Sequence, residues 1–315
     1  MFFLRPILAA VFLLTWPAHS AVVAGANGGG NTTNNTTAAQ MATQLGLTNT
    51  AFYGNVLPYS DAGSIYLGWA NTVDGPRAYL LSAVHITLSS TMLINAVSYT
   101  VERQSISGSD VALLTLSNID GIMPPLPVVN LATSTPSIGT GVIIAGFGRD
   151  RVQAAATNAN TPDSITLTNG TGYTTTTPQV LRWGTNNTIQ ASGGPPSPVT
   201  SVNIGSNATV IFMTQFDSPS TGQWLTSNEA QAVLGDSGGG AFDTNGNLLG
   251  IIAAVTGSSV DPVFGGRTYF ADIATYKTSI DTAIGYTLVP EPSTYALLAL
   301  AAAGLGAHVL RRRRK

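Results

Sequence analysis

The 315-residue chain is long enough for one large domain or two small ones with tails, and its 44% apolar content can fill a sizeable core. Only 9% of its residues are charged, against roughly 25% in an ordinary soluble domain. Thr, Asn, Ser and Gly take their place, which suits an all-β secreted protein. Between residues 21 and 292 seven Lys or Arg face fifteen Asp or Glu, a net of −8 that argues against nucleic acid, and the lack of cysteine excludes disulfides, thiolate nucleophiles and cysteine metal sites.

Residues 1–20, "MFFLRPILAAVFLLTWPAHS", place one arginine before an apolar run and end on small residues. That is the pattern of a cleaved secretory signal peptide. Residues 21–48 follow as an arm, with "GANGGGNTTNNTTAAQ" as its low-complexity part.

Short apolar runs then alternate with turn-rich gaps. "SIYLGWA", "RAYLLSAVHI", "LINAVSYTVE", "VALLTLS", "TGVIIAGFG", "TVIFMTQF" and "NLLGIIAAV" are predicted strands. Their number and spacing predict a sandwich or barrel. From Asp150 to Thr209 the chain is rich in Thr, Asn, Gly and Pro, and it is expected to form long loops around one structured island, "VLRWGTNNTI". Residues 270–284, "FADIATYKTSIDTAI", have the spacing of one amphipathic helix closing the domain.

The stretch "EAQAVLGDSGGGAF", residues 229–242, crowds Ser237 with Gly235, Gly238, Gly239 and Gly240. A serine hydroxyl is a weak nucleophile that needs an adjacent general base, and histidine is the usual one. Of the three histidines, His19 lies in the leader and His308 in the C-terminal tail, which leaves His85 in "AYLLSAVHIT". The base in turn needs a carboxylate to orient it. "SGSDVALLTLS" offers Asp110, with Asp120 a poorer alternative.

Together these words resemble the trypsin-like serine proteases. "LSAVH" is similar to their Leu-Thr-Ala-Ala-His, "SDVALLTL" to their Asp-Ile-Ala-Leu-Leu, and "GDSGGG" to their Gly-Asp-Ser-Gly-Gly-Pro. "IAGFG" stands where they carry Gly-Trp-Gly. The likeness spans roughly residues 50–285 and defines an expected protease domain over 49–286. It implies an all-β fold of two packed six-stranded antiparallel barrels with a C-terminal helix. It further implies His85, Asp110 and Ser237 as catalytic triad, the N–H groups of Gly235 and Ser237 as oxyanion hole, and a specificity (S1) pocket with Gln231 at its base and Ala253 and Val255 on its wall. A small or medium uncharged residue before the cleaved bond (P1) is the matching expectation. No cofactor and no metal are expected.

Three features depart from the family. The 25-residue gap from His85 to Asp110 is short, Gly240 replaces a proline, and the flanking cysteines are missing. In the family Asp236 often pairs with a freed N-terminus, and "AVVAG", residues 21–25, has a faint likeness to one. Ser237 also fits G-x-S-x-G, the nucleophile elbow of α/β-hydrolases, but that fold needs a later histidine and only His308 in the tail qualifies.

The chain ends in "VPEPSTYALLALAAAGLGAHVLRRRRK". Its apolar run from Tyr295 to Leu310 is shorter than the ~20 residues of a full membrane span. Residues 287–315 resemble the PEP-CTERM sorting tail. That implies an exosortase-like partner, transient membrane association of the tail, and delivery to the cell surface or extracellular matrix of a Gram-negative bacterium. The combined expectation is an exported serine endopeptidase acting on protein or peptide substrates. The alternative is a catalytically silent protease-like scaffold used as a binding or structural module of the matrix.

Overall fold

A computed structural model describes residues 37–118, 120–149, 181–191, 197–217, 228–256 and 262–288, with the backbone of short strand pieces at 22–23, 150–151, 166–167, 170–171 and 175–176. The expected signal peptide, the glycine-rich part of the arm, most of the loops after Asp150 and all but the first two residues of the sorting tail lie outside the described residues. Among the described residues no helix is long and apolar enough to cross a membrane.

Two antiparallel sheets form the body. The first contains β1 (Val56–Tyr59), β2 (Ala62–Thr72), β3 (Gly75–Ala83), β4 (Thr91–Ile94), β5 (Val97–Ser105) and β6 (Val111–Ser117), in the spatial order β1-β2-β3-β6-β5-β4. The second contains β7 (Gly141–Gly146), β8 (Arg182–Ile189), β9 (Val199–Ile204), β10 (Asn207–Gln215), β11 (Gly240–Phe242), β12 (Leu248–Val255) and β13 (Arg267–Asp272), in the order β8-β7-β11-β12-β13-β10-β9. A further pairing of β8 with β10, Thr188 opposite Thr214 and Ile189 opposite Met213, closes six of these seven strands into a ring. The fold is thus the expected all-β pair of packed sheets with a C-terminal helix. Of the two expected six-stranded barrels, only the second sheet has a closing pairing among the described residues, and it carries a seventh strand, β9, which hangs on β10 as a hairpin.

Each expected strand run forms a strand, with one split. "LINAVSYTVE" turns over at Asn95 and Ala96, whose φ values are 50° and 65°. Two successive residues with positive φ are what a tight two-residue hairpin requires, so the run becomes the β4–β5 hairpin. The island "VLRWGTNNTI" supplies β8.

Side chains of a strand alternate between its two faces. On one face Tyr66, Leu80, Leu114 and Leu116 build the first sheet's own core. On the other, Ile65, Leu67, Leu81 and Leu113 join Ile143, Ala145 and Ile251 of the second sheet in one shared cluster. That shared cluster holds the two sheets together along the seam where the site lies. The far face of the second sheet packs Val142, Ile144, Phe212 and Phe270, with the two phenyl rings stacked at 5.0 Å.

Two elements correct the sequence expectation. Residues 38–45, expected within the arm, form helix α1 (Ala38–Leu45). Thr37 and Gln40 make a reciprocal capping box, Gly46 closes the helix in the left-handed region, and Met41 is fully buried in the shared core. Helix α2 (Ile273–Ile284) begins three residues later than expected. Phe270, Ala271 and Asp272 instead complete β13, paired with β10 and β12. Asp272 ends that strand and caps the helix by accepting from the Thr275 N–H.

Candidate active site

The register between β3 and β6 brings the first two site residues together. Ala83 lies opposite Val111, and the Val84 N–H donates to the Asp110 carbonyl at 2.9 Å, one step beyond the ladder. His85 leaves the end of β3 as Asp110 enters β6. The His85 N–H donates to Asp110 Oδ1 at 3.0 Å, and His85 Nδ1 lies 2.7 Å from Asp110 Oδ2. The short 25-residue gap is accommodated because the chain between them is only a tight hairpin. Asp120 is exposed on a turn and its backbone N–H bonds to Asn118; it takes no part in the site.

The second sheet delivers Ser237 across the seam. His85 Nε2 lies 2.8 Å from Ser237 Oγ. The Ser237 carbonyl accepts from the Gly63 N–H of β2 at 2.8 Å, and the Ser82 hydroxyl of β3 donates to the Gly63 carbonyl at 2.6 Å. Gly238 sits at φ 79°, and a Cβ there would collide with the Gly63 carbonyl and the Ser82 hydroxyl. Positive φ and close backbone approach both call for glycine. Gly235 adopts φ 98°. Among the described residues the N–H groups of Gly235 and Ser237 donate to no protein acceptor.

Burial differs along the chain of three. Asp110 is fully buried, while a third of the His85 side-chain surface is open to solvent. The Asp110 N–H is satisfied by Thr209 Oγ1 at 2.9 Å, from β10 of the opposite sheet. Arg103 of β5 donates to the Val84 carbonyl and to the Ile86 carbonyl, bracing the turn on both sides of His85. Neither Thr209 nor Arg103 stands out in the sequence, because each acts through a contact that only the folded chain creates.

Asp236, beside the serine, is fully buried. Its Oδ2 accepts from the Val233 N–H at 2.8 Å and its Oδ1 from the Gly148 N–H at 2.6 Å. Burial pushes this carboxyl up to about 7, against the opposing pull of those two N–H groups and of the Arg182 guanidinium. A side chain at Gly146 or Gly148 would collide with the carboxylate, which explains the two glycines of "IAGFG". The backbone of Val22–Val23 pairs with Ala230–Gln231. Ala21, the expected new N-terminus, lies outside the described residues.

A cavity of about 180 Å³ opens beside His85 and Ser237. Val233, Leu234, Ile252, Ala253, Ala254 and Val255 line the rest of it. Gln231 does not line it. Its buried amide donates to the Thr256 carbonyl at 3.2 Å and accepts from the Val263 N–H at 3.2 Å, so it fastens the chain behind the wall.

Two packed antiparallel β-sheets thus carry a Ser–His–Asp hydrogen-bonded chain at their seam. Comparison with solved structures finds similar folds among serine proteases. The inactive form of the Rv3671c protease of M. tuberculosis H37Rv is 13% identical, with 78% of this chain and 96% of that chain covered and a TM-score of 0.45. The HtrA-type protease AlgW with a decapeptide is 16% identical, with 70% and 50% covered and a TM-score of 0.40. The PEP-CTERM protein-sorting motif matches residues 288–315. No curated protein matches the chain.

Proposed function

We propose that the protein is an exported serine endopeptidase that hydrolyses peptide bonds through an acyl-enzyme. The observation that carries this reading is the unbroken path from Ser237 Oγ through His85 to buried Asp110, with bonds of 2.8 and 2.7 Å. An imidazole fixed at both nitrogens is poised to take the serine proton. A surface histidine without a task has no reason to be held between a hydroxyl and a buried carboxylate.

Ser237 Oγ attacks the scissile carbonyl carbon as its proton passes to His85 Nε2. Asp110 accepts the Nδ1–H bond throughout and stabilises the imidazolium. The carbonyl oxygen becomes an oxyanion that the N–H groups of Gly235 and Ser237 bind. Loss of one such donor typically costs ~3 kcal/mol of transition-state stabilisation. Collapse breaks the C–N bond, and His85 gives its proton to the departing amine. Water, deprotonated by His85, then cleaves the acyl ester and restores Ser237. The sorting motif supports recognition by an exosortase-like partner and delivery to the cell surface or matrix.

The test is labelling of the purified full-length protein with a fluorophosphonate, beside Ser237→Ala and His85→Ala. The expected result is labelling of the parent alone. A parent that stays unlabelled, including after limited proteolysis, would overturn the enzyme reading in favour of a silent scaffold.

A further inference from the structure

Asp110 leaves the end of the β5–β6 hairpin, where Ser107 and Gly108 are exposed and Ser109 and Asp110 are buried. His85 takes both carboxylate oxygens, and among the described residues the Asp110 side chain has no other partner. The carboxylate is therefore held only by the group it has to orient, and its aim must come from its backbone. Within the turn the Ser109 hydroxyl donates to the Ile106 carbonyl at 2.9 Å and accepts from the Val111 N–H at 3.1 Å. Those bonds join one part of the turn to another. They shape it but do not stop it from swinging as a unit, and exposed hairpin ends are among the more mobile parts of a fold.

Two contacts from the opposite side of the seam anchor the turn. Tyr276 of α2 donates its hydroxyl to the Gly108 carbonyl at 3.1 Å and accepts from the Val210 N–H of β10 at 2.7 Å. One residue earlier in β10, Thr209 Oγ1 accepts from the Asp110 N–H at 2.9 Å. The tyrosine ring is buried in the shared core, so the position of its hydroxyl is set by packing. Burial raises the pKa of that hydroxyl, which keeps the proton it donates to Gly108. β10 belongs to the sheet that delivers Ser237. The two ties therefore fix the acid to the frame of the serine, with His85 held between them.

We infer that Tyr276 is a positioning residue for the proposed reaction, clamping the Gly108 turn onto β10, with Thr209 as the second point of the clamp, so that the Asp110 carboxylate stays against His85 Nδ1. The inference rests on the peptidase reading above. Tyr276 acts through the turn, since its hydroxyl bonds to backbone at Gly108 and Val210.

The experiment compares the full-length protein with Tyr276→Phe, which keeps the ring and loses the hydroxyl. Fluorophosphonate inactivation kinetics separate the maximal labelling rate from the probe concentration that gives half of it. The maximal rate should fall about 10- to 100-fold with the half-saturating concentration little changed, the scale on which a small misplacement of a reacting group is felt. The low-field proton NMR signal of the His85 Nδ1–H bonded to Asp110 should broaden or vanish in the variant. Thr209→Val should act in the same direction and Thr209→Ser should restore the rate, and this pair serves if Tyr276→Phe does not fold. Tyr66→Phe loses a buried hydroxyl that donates to the Pro124 carbonyl at 3.2 Å, and it should label at the parent rate. A labelled parent with Tyr276→Phe and Thr209→Val labelling equally fast overturns the inference and leaves the peptidase reading standing. A slowed Tyr276→Phe with an unchanged Nδ1–H signal also overturns it, because the loss then has another route. An unlabelled parent overturns the peptidase reading, and this inference with it.

Discussion

Ala83 and Val111 face each other across β3 and β6, and that one register places His85 and Asp110 side by side. Asp110 directly precedes β6 and His85 follows the end of β3 by two residues, so no long loop has to fold back to join them. Nδ1 turns inward to Asp110, which leaves Nε2 aimed at Ser237.

Asp110→Asn tests this relationship. The amide cannot serve as the charged acceptor of the Nδ1–H bond, and the wrong tautomer of His85 is favoured. The expected outcome is a loss of about 10⁴ in kcat with little change in KM, the size of effect seen when a serine protease triad loses its acid. Steady-state kinetics on a cleaved peptide measure it, and a loss under tenfold would remove Asp110 from the mechanism.

Gly238→Ala tests the seam. The new methyl would sit at φ 79° against the Gly63 carbonyl and the Ser82 hydroxyl. Backbone strain and overpacking together should cost about 2–4 kcal/mol. Equilibrium unfolding reads this directly, and an unchanged midpoint would show that the two sheets are not so closely apposed there.

Asp236 gives the pH dependence its sign. Its carboxyl is raised in the folded protein, from 3.8 to about 7. The folded state therefore binds the extra proton between those values, and this group's contribution to stability falls as pH rises through that window. Activity should run the other way. A proton on Asp236 takes up an oxygen lone pair that now receives the Val233 or Gly148 N–H, and the loop carrying Gly235 and Ser237 loosens. Acidifying from pH 8 to pH 5 should raise this contribution to the melting temperature while kcat falls. Asp236→Asn should flatten that part of the thermal profile, and an unaltered profile would contradict the assignment.

Thr37→Ala asks whether α1 belongs to the domain. The Thr37 hydroxyl accepts from the Gln40 N–H at 3.2 Å, and the Gln40 side chain accepts from the Thr37 N–H at 3.1 Å. The Thr37 carbonyl also accepts from Trp183 Nε1 of β8. Losing the cap should cost about 1 kcal/mol. For a domain of this size that is a fall of about 2–4 °C in melting temperature. No change in a calorimetric scan would mean that the helix adds nothing to the fold.

Much of this molecule was determined by its sequence alone. If Ser237 is activated by a histidine, a body with one histidine leaves only His85 for the task. The glycines around Ser237 announce tight backbone geometry, and runs such as "VALLTLS" are strands because β-branched and leucine residues bury well in a pleated sheet. The sorting motif is legible because order and position are its whole content. The tertiary structure decided what depends on register and packing. It set Asp110 beside His85 and left Asp120 on an exposed turn, because strand pairing delivers one and not the other. It moved Gln231 behind the pocket wall by giving its amide two backbone partners, and it turned residues 38–45 from arm into helix by burying Met41. Local sequence records periodicity and chemistry. It does not record that His85 will meet a serine 152 positions away, because that contact is made by two sheets docking and not by either segment.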